Sequence, residues 1–143
     1  MRELVFDPAT ARTSWATREC TPLSAGWIRV RIESVLLSRC TWESFDRPIV
    51  PGGGYSGIAT ETGPDAGIDA GRKVLSVART GSCADEIEIR RPHVFQLNDD
   101  ADLDDAVVAS VPGIRAHGAV SVLIQWGVST VAVVGASGAT GAM

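Results

Sequence analysis

Short runs of alternating polar and apolar residues, each closed by a turn residue, fill the first hundred residues of the chain. In the clearest run, residues 27–33, Ile28, Val30 and Ile32 share one face of a predicted strand. Gly, Pro, Asn or Asp residues separate the predicted strands, which lie at 2–6, 13–20, 27–33, 55–62, 73–78, 83–89 and 94–97. This pattern favours a mainly β barrel over a doubly wound sheet.

A helical pattern replaces the strands after Asn98. Acidic residues gather just before Leu103, where negative charge suits the positive end of a helix. Pro112-Gly113 is predicted to end this first helix, and a second apolar helix is predicted over residues 114–126.

The last segment is predicted to be a buried strand, residues 131–134, followed by a glycine-rich turn. In nucleotide-binding folds such a turn opens a helix whose N-terminal amides hold phosphate. The confirming βαβ unit with an acidic ribose-binding residue does not follow here. Gly135, Gly138 and Gly141 are therefore predicted to be vestigial cofactor-binding residues.

Composition narrows the class of protein. The chain has 143 residues, one domain's worth, and a net charge of −4, which argues against nucleic acid or an anionic membrane as a partner. The three cysteines form no CxxC pair, which suits a reducing compartment. No apolar signal core opens the chain, and no uninterrupted apolar run reaches about 18 residues. We expect a soluble cytoplasmic protein without a membrane span.

Five motifs in order resemble the medium-chain dehydrogenase/reductase superfamily, which includes zinc alcohol dehydrogenases and quinone oxidoreductases. They lie at residues 51–59, 71–75, 81–86, 111–116 and 133–138. The resemblance implies a GroES-like, partly open β-barrel with C-terminal helices and one Rossmann-type strand. It divides the chain into a barrel domain, residues 1–112, and the truncated start of a nucleotide-binding domain, residues 113–143.

The sequence departs from the zinc members of that family. They carry Gly-His-Glu where this chain has Gly52-Gly53-Gly54, and glycine offers zinc no side-chain ligand. The family's zinc cysteine aligns with Ser38, or with Cys40 in a shifted register, and one cysteine alone makes no site. We expect no metal. The remaining resemblance is to zinc-free quinone or enoyl reductases, and it implies no cofactor for this chain alone, with NADPH bound only if a second chain supplies the Rossmann domain.

The resemblance places a polar loop at the substrate cleft, where hydroxyls, a carboxylate and a cation suit acid–base work on a carbonyl group. Its predicted catalytic residues are Ser38, Cys40, Thr41 and Glu43, and its predicted substrate-binding residues are Arg39 and Trp42. The alternatives are a polar surface loop without a role and a free structural cysteine at position 40.

Further candidates lie outside this loop. Tyr55 is predicted to be catalytic at the cleft, with a core tyrosine as the alternative. His117 is predicted to bind substrate, with ordinary helix packing as the alternative. Gly53 and Gly54 are predicted to bind substrate: loss of the His-Glu pair either opened space there or left a flexible turn.

Residues 119–134 pose a physical problem, since an apolar helix and a central strand need partners on both sides. We expect them to form a homodimer or to contact a partner chain.

Three functions stay open. The first is a cofactor-independent enzyme that dehydrates, isomerises or cyclises a small carbonyl substrate by acid–base chemistry. The second is the GroES-like half of a split NADPH-dependent quinone or enoyl oxidoreductase, and the third is a non-catalytic binding module or remnant.

Overall fold

The computed structural model of the chain describes residues 1–37, 45–77, 81–138, 140 and 143. These residues form a strand-rich body followed by a helical segment. The strands are β1 (Arg2–Asp7), β2 (Arg12–Thr17), β3 (Trp27–Val35), β4 (Tyr55–Thr62), β5 (Lys73–Ser76), β6 (Glu86–Arg90) and β7 (Val94–Gln96). The helices are α1 (Leu103–Val108) and α2 (Ile114–Gln125).

The strands form two antiparallel sheets. β1 and β2 make a hairpin, while the other five strands follow the order β6-β3-β4-β5-β7. Two isolated bridges, Glu3 with Ala84 and Phe6 with Ile49, tie the hairpin to segments outside it. The larger sheet curls into a half-barrel, so the predicted mainly β, GroES-like partial barrel is confirmed.

The core lies inside the curl of the larger sheet. Period-two alternation explains it, because Ile28 and Val30 of β3 are fully buried, whereas Arg31, the next residue, is exposed. The buried apolar cluster consists of Ile28, Val30, Tyr55, Ala59, Ala66, Ile68, Val74 and Val94. All of these residues precede the helical segment.

The helical segment begins with a capped turn. The Asp102 carboxylate accepts hydrogen bonds from the backbone amides of Asp104 (2.8 Å) and Asp105 (3.0 Å). The second helix starts at Ile114 as predicted, and the predicted break at Pro112-Gly113 is a π-helical turn, residues Ala109–Gly113, that joins α1 to α2 without interrupting the helical path. A π-turn accommodates Pro112, which has no N–H to donate and would crowd the carbonyl one turn earlier in a regular helix. The predicted domain boundary after residue 112 falls inside this turn.

The continuous helical stretch Leu103–Gln125 is 23 residues long and, within the described part of the chain, is apolar enough to cross a membrane by length and composition alone. Arg115 and His117 interrupt its apolar residues, which is why the sequence shows no unbroken run. The core helix of a soluble protein passes the same test when it is mostly buried, whereas only 17% of this stretch is buried in the described chain.

The Rossmann-type strand predicted at residues 131–134 is not formed within this chain. Residues 131–133 adopt no regular structure, and residues 134–137 make a turn. Strands exist through the hydrogen bonds of a ladder, and the described residues provide no neighbouring strand for this segment. The apolar sequence of the segment therefore favours a strand, but the described residues provide no partner with which it could form one.

Candidate functional site

The Gly52–Gly53–Gly54 turn is buried and held by hydrogen bonds. The Gly53 amide donates to the Leu36 carbonyl oxygen (2.9 Å), and the Leu36 amide donates to the Gly54 carbonyl oxygen (2.7 Å). The hydroxyl of Ser82 donates to the Gly53 carbonyl oxygen (3.0 Å). The turn is thus hydrogen-bonded to its neighbours between β3 and β4, and the alternative of a flexible turn stays a prediction.

The space beside these glycines is filled. A Cβ added at Gly54 would collide with the Ser110 hydroxyl oxygen and lie 3.1 Å from the Ser110 Cβ. A Cβ at Gly52, whose φ is +102°, would collide with the Ser82 hydroxyl oxygen and lie 2.9 Å from the Cys83 amide nitrogen. No space is therefore open at Gly52 and Gly54, and the alternative of opened space stays a prediction for Gly53. Buried hydroxyl groups occupy the room that side chains here would need.

These positions do not fit a zinc ion. Glycines bring no ligand side chain, and one at position 54 would first have to displace Ser110. Within the described ranges, no three His, Cys, Asp or Glu side chains come together as metal ligands. Gly53 and Gly54 as substrate-binding residues stay a prediction, with the Gly53 amide and carbonyl already hydrogen-bonded.

Tyr55 starts β4 and pairs with Val35 on one side and Ser76 on the other. Its side chain is fully buried, and its hydroxyl has no hydrogen-bond partner among the described residues. Burial raises the pKa of Tyr55 to about 12, and the nearby Ser76 hydroxyl works against that rise, although the geometry of the pair does not meet that of a hydrogen bond. The Ser76 hydroxyl itself donates a hydrogen bond to the His93 carbonyl oxygen (2.6 Å). Tyr55 is therefore a neutral group in the core, and its catalytic role stays a prediction.

Four buried serines surround this region and were missed by sequence reasoning, since serine is common on surfaces. Each hydroxyl donates to a backbone carbonyl oxygen. The bonds run from Ser56 to Leu103 (2.6 Å), Ser76 to His93 (2.6 Å), Ser82 to Gly53 (3.0 Å) and Ser110 to Val107 (2.5 Å). The bond from Ser56 joins β4 to α1, so part of this set attaches the helical segment to the barrel. The sequence signal that could have found two of them is their position, since Ser56 and Ser76 lie inside predicted strands.

The predicted cleft loop lies outside the described residues. Its members are Ser38, Arg39, Cys40, Thr41, Trp42 and Glu43. His117 is exposed on α2. The roles assigned to these residues stay predictions.

The glycine-rich turn lies on the surface. Gly135 has a φ of +79°, and its carbonyl oxygen accepts a hydrogen bond from the Gly138 amide (2.9 Å). Gly141 lies outside the described residues. No helix follows the turn within the described part, so these residues do not complete a phosphate cradle for NADPH.

A small open cavity of about 190 Å³ is lined by Thr21, Pro22, Leu23, Ser24, Trp27 and Glu88. Pockets for drug-sized ligands and cofactors start at about 300 Å³, so this cavity is too small for a dinucleotide. The Glu88 carboxylate on its wall is bound by the Arg29 guanidinium (2.9 Å). The cavity therefore does not have the size of a cofactor site.

In the part of the chain that the structure describes, the C-terminal helical segment leaves many apolar side chains exposed. We call Val120, Val122, Ile124 and Trp126 the α2 surface; Ile124 is 71% exposed and Trp126 is 74% exposed. α2 buries none of its side chains. The following residues 128–134 continue this exposure, up to 98% at Val134. Large exposed apolar patches are typical of interaction surfaces.

No protein-family model and no curated protein matches this sequence. Solved structures do match its fold. The quinone oxidoreductase of Thermus thermophilus, described together with its NADPH complex, is 18% identical with a TM-score of 0.74, over 99% of this chain and 48% of that one. The quinone oxidoreductase of Pseudomonas syringae pv. Tomato is 15% identical with a TM-score of 0.75, over 98% and 47%.

A putative zinc-binding dehydrogenase from Clostridium scindens is 16% identical with a TM-score of 0.68, over 85% of this chain and 47% of that one. Identities this low establish the fold alone. This chain spans less than half the length of these structures. It has the fold of medium-chain dehydrogenase/reductase members, as its ordered motifs predict.

Proposed function

We propose that this chain is the GroES-like half of a two-polypeptide, NADPH-dependent quinone oxidoreductase. The observation that carries the proposal is the fold match, which extends over 98–99% of this chain and only 47–48% of two quinone oxidoreductases. In this proposal a second chain contributes the nucleotide-binding half. The barrel described above contributes the wall of the substrate cleft.

The α2 surface supports this division. Side chains such as Ile124 and Trp126 are about three-quarters exposed, although burial of apolar surface is worth about 25 cal/mol per Å². The described part of the barrel leaves them uncovered, because α2 contributes no buried side chain to it. A second chain that packs against α2 would gain this burial, and the gain provides a driving force for assembly.

Acid–base catalysis without a cofactor has less support. Its proposed catalytic loop lies outside the described residues, and Tyr55, its remaining candidate, is fully buried with a pKa of about 12. A phenol of this kind stays protonated and out of contact with solvent, so it is a poor general base near neutral pH. The solved structures that share the fold are named as oxidoreductases and dehydrogenases.

The proposal gives each of the two chains a different role in the reaction. When bound by the second chain, NADPH supplies the hydride. The barrel covers the reacting groups against water, and hydroxyls of the predicted loop, Ser38 and Thr41, orient the carbonyl oxygen of the substrate.

The test compares the chain alone with the chain co-expressed with the product of an adjacent reading frame. We expect that product to start with a helix and to lack a GroES-like part. NADPH binding is followed by fluorescence, and turnover by NADPH oxidation with 1,4-benzoquinone. The pair should bind NADPH and reduce the quinone, and the chain alone should do neither. NADPH binding by the chain alone, or a purified pair without turnover, contradicts the proposal.

A matched pair of variants tests the assembly surface. Ile124→Asp places a charge on the α2 surface and should abolish turnover by the pair. Phe95→Asp places the same charge on β7, where Phe95 is 54% exposed, and should leave turnover unchanged. Equal loss in both variants would show that the α2 surface has no special part in assembly.

A further inference from the structure

We propose that the small cavity beside Glu88 binds a primary alkylammonium group, carried either by a small free amine or by a lysine side chain. Thr21, Pro22, Leu23, Ser24, Trp27 and Glu88 line this cavity, which has a volume of about 190 Å³. We call it the Glu88 cavity. Binding at this site is independent of quinone reduction and of a second chain.

The Glu88 cavity lies on the face of the larger sheet that points away from the core. Trp27 and Arg29 are two residues apart on β3, so both project from the face opposite the buried residues of that strand. Glu88 of β6 is the register partner of Arg29 and therefore projects from the same face. The loop at residues 21–24 is fastened there, because the Thr21 carbonyl oxygen accepts a hydrogen bond from the Arg29 guanidinium (2.5 Å).

The charges beside the cavity are unbalanced. The Arg29 guanidinium binds the carboxylates of both Glu61 and Glu88, so one cation faces two anions. Arg90 is the register partner of Trp27, but it is exposed and forms no ion pair within the described part of the chain. Charged groups with little exposure are stabilised by partners of opposite sign. The cluster therefore favours one more positive charge.

Glu88 offers a free acceptor to that charge. Its Oε1 atom accepts a hydrogen bond from Arg29 (2.9 Å), whereas Oε2 has no partner among the described residues. The Glu88 side chain is only 14% exposed, yet Oε2 is not sealed from solvent. An ionised carboxylate accepts hydrogen bonds at both oxygens, and a bond from a charged donor is about twice as strong as a neutral one.

The remaining wall suits a primary amine with a short alkyl chain. Pro22, Leu23 and Trp27 provide apolar surface, and an aromatic ring also attracts a cation. The hydroxyls of Thr21 and Ser24 have no hydrogen-bond partner in the described part, and an ammonium group has three N–H donors to share among such acceptors. The volume of about 190 Å³ is roughly six times the space of one water molecule in the liquid, which accommodates a short chain.

Other small ligands fit this wall less well. An anion would meet the excess of negative charge at Glu61 and Glu88. A quaternary ammonium ion has no N–H for the Glu88 Oε2 atom. A metal ion needs more ligands, and no three His, Cys, Asp or Glu side chains come together within the described ranges.

The test is an NMR titration of the isotope-labelled chain with n-butylammonium chloride. The backbone amides of residues 21–24 and the indole N–H of Trp27 should shift in a saturable way, with a dissociation constant on the order of 1–10 mM for so small a ligand. n-Butanol and butyrate have the same alkyl chain without the positive charge. They should bind at least about tenfold more weakly, because neither makes a charge-assisted hydrogen bond to Glu88.

Two variants and a control locate the site. Glu88→Gln keeps an acceptor for Arg29 but removes the negative charge, and should weaken butylammonium binding at least about tenfold. Trp27→Leu keeps an apolar wall without the ring and should weaken it about threefold. Glu33→Gln removes an exposed carboxylate further along β3, which pairs with Arg31, and should leave binding within about twofold of the parent.

The ligand series on the parent chain decides the matter even if a variant fails to fold. Butylammonium shifts no larger than those of sodium chloride at equal ionic strength would overturn the proposal, as would equal binding of n-butanol. Equal losses in Glu88→Gln and Glu33→Gln would also overturn it. Nα-acetyl-lysine N-methylamide separates the two sources of the ammonium group: tighter binding than butylammonium assigns the site to a lysine side chain, and weaker binding assigns it to a free amine.

Discussion

The hydroxyl oxygen of Ser110 lies too close to Gly54 for any side chain to be added at position 54 without a clash. Ser110 belongs to the π-turn between α1 and α2, and Gly54 immediately precedes β4. The absence of a side chain at position 54 therefore lets the helical segment sit against the barrel. This contact links the glycine-rich sequence of the turn to the position of the whole C-terminal segment.

Gly54→Ala should destabilise the chain. The added Cβ must push Ser110 away, and overpacking of this kind costs about 1–3 kcal/mol. The measurement is the midpoint of urea unfolding. Ser110→Ala in the same chain removes the closest atom and should recover about 1 kcal/mol of that loss, seen as non-additivity in a double-mutant cycle.

Gly118→Ala is the matched control for that experiment. Nothing lies within 4 Å of a Cβ at Gly118, which sits within α2. The same substitution there should stabilise the chain by about 0.5–1 kcal/mol, because alanine is the better helix former. A loss of stability at Gly118 equal to that at Gly54 would show that steric contact with Ser110 is not the cause.

Arg29→Met should weaken the larger sheet. The Arg29 guanidinium binds Glu61 and Glu88, and the Arg29 and Glu88 side chains are only 11% and 14% exposed. Removal of the cation leaves Glu88 largely covered and without its ion-pair partner, at an expected cost of about 2–3 kcal/mol. Urea unfolding at neutral pH measures this cost.

Arg31→Met tests whether burial is the reason. Arg31 lies two residues further along β3 and pairs with Glu33 at 2.9 Å, but its side chain is 55% exposed. Exposed pairs contribute about 0–1 kcal/mol, so this variant should lie within that range of the parent. Similar losses at positions 29 and 31 would refute the dependence on burial.

Tyr55→Phe should be neutral or slightly stabilising at pH 7. The Tyr55 hydroxyl is buried without a hydrogen-bond partner in the described part of the chain, so its removal leaves no group unpaired. Ser82→Ala provides the contrast, because that hydroxyl is bonded to the Gly53 carbonyl oxygen. It should cost about 1 kcal/mol or more. A clear loss in Tyr55→Phe would reveal a partner for the hydroxyl.

The same tyrosine predicts a pH dependence at the alkaline end. Its pKa in the folded chain is about 12, against 10.0 for a free phenol. Between these values the unfolded chain ionises and the folded chain does not, so stability is intact below pH 10 and falls as the pH rises toward 12. At one pKa unit per 1.36 kcal/mol, the loss approaches roughly 2–3 kcal/mol near pH 12.

The difference between the parent and Tyr55→Phe isolates this effect from other groups that titrate at alkaline pH. Urea midpoints taken at pH 8, 10 and 11 should diverge, with the variant gaining on the parent as the pH rises. Parallel curves for the two proteins would mean that Tyr55 ionises as easily in the folded chain as in the unfolded one.

The strands were predictable because their signal is local. Both ends of the predicted strand 55–62 match β4, and the predicted strand 27–33 lies within β3. Alternation and flanking turn residues are enough to identify a strand that has one buried face. The GroES-like half-barrel followed from motifs in order. These features depend on neighbours within the chain.

The differences from prediction came from features that depend on context. Pro112 ends a regular helix, but a π-turn needs no hydrogen bond from it. Residues 131–134 carry a strand sequence, yet a strand needs a ladder that the described chain does not offer. The glycines at 52–54 read as space or flexibility, and only the folded chain shows two serine hydroxyls filling their place. None of these outcomes is visible in the order of residues alone.

The π-turn has one more consequence. Every residue of the apolar core cluster comes before Leu103, and α2 beyond the turn adds no buried side chain. The barrel can thus reach its native state on the ribosome before α2 has left the exit tunnel.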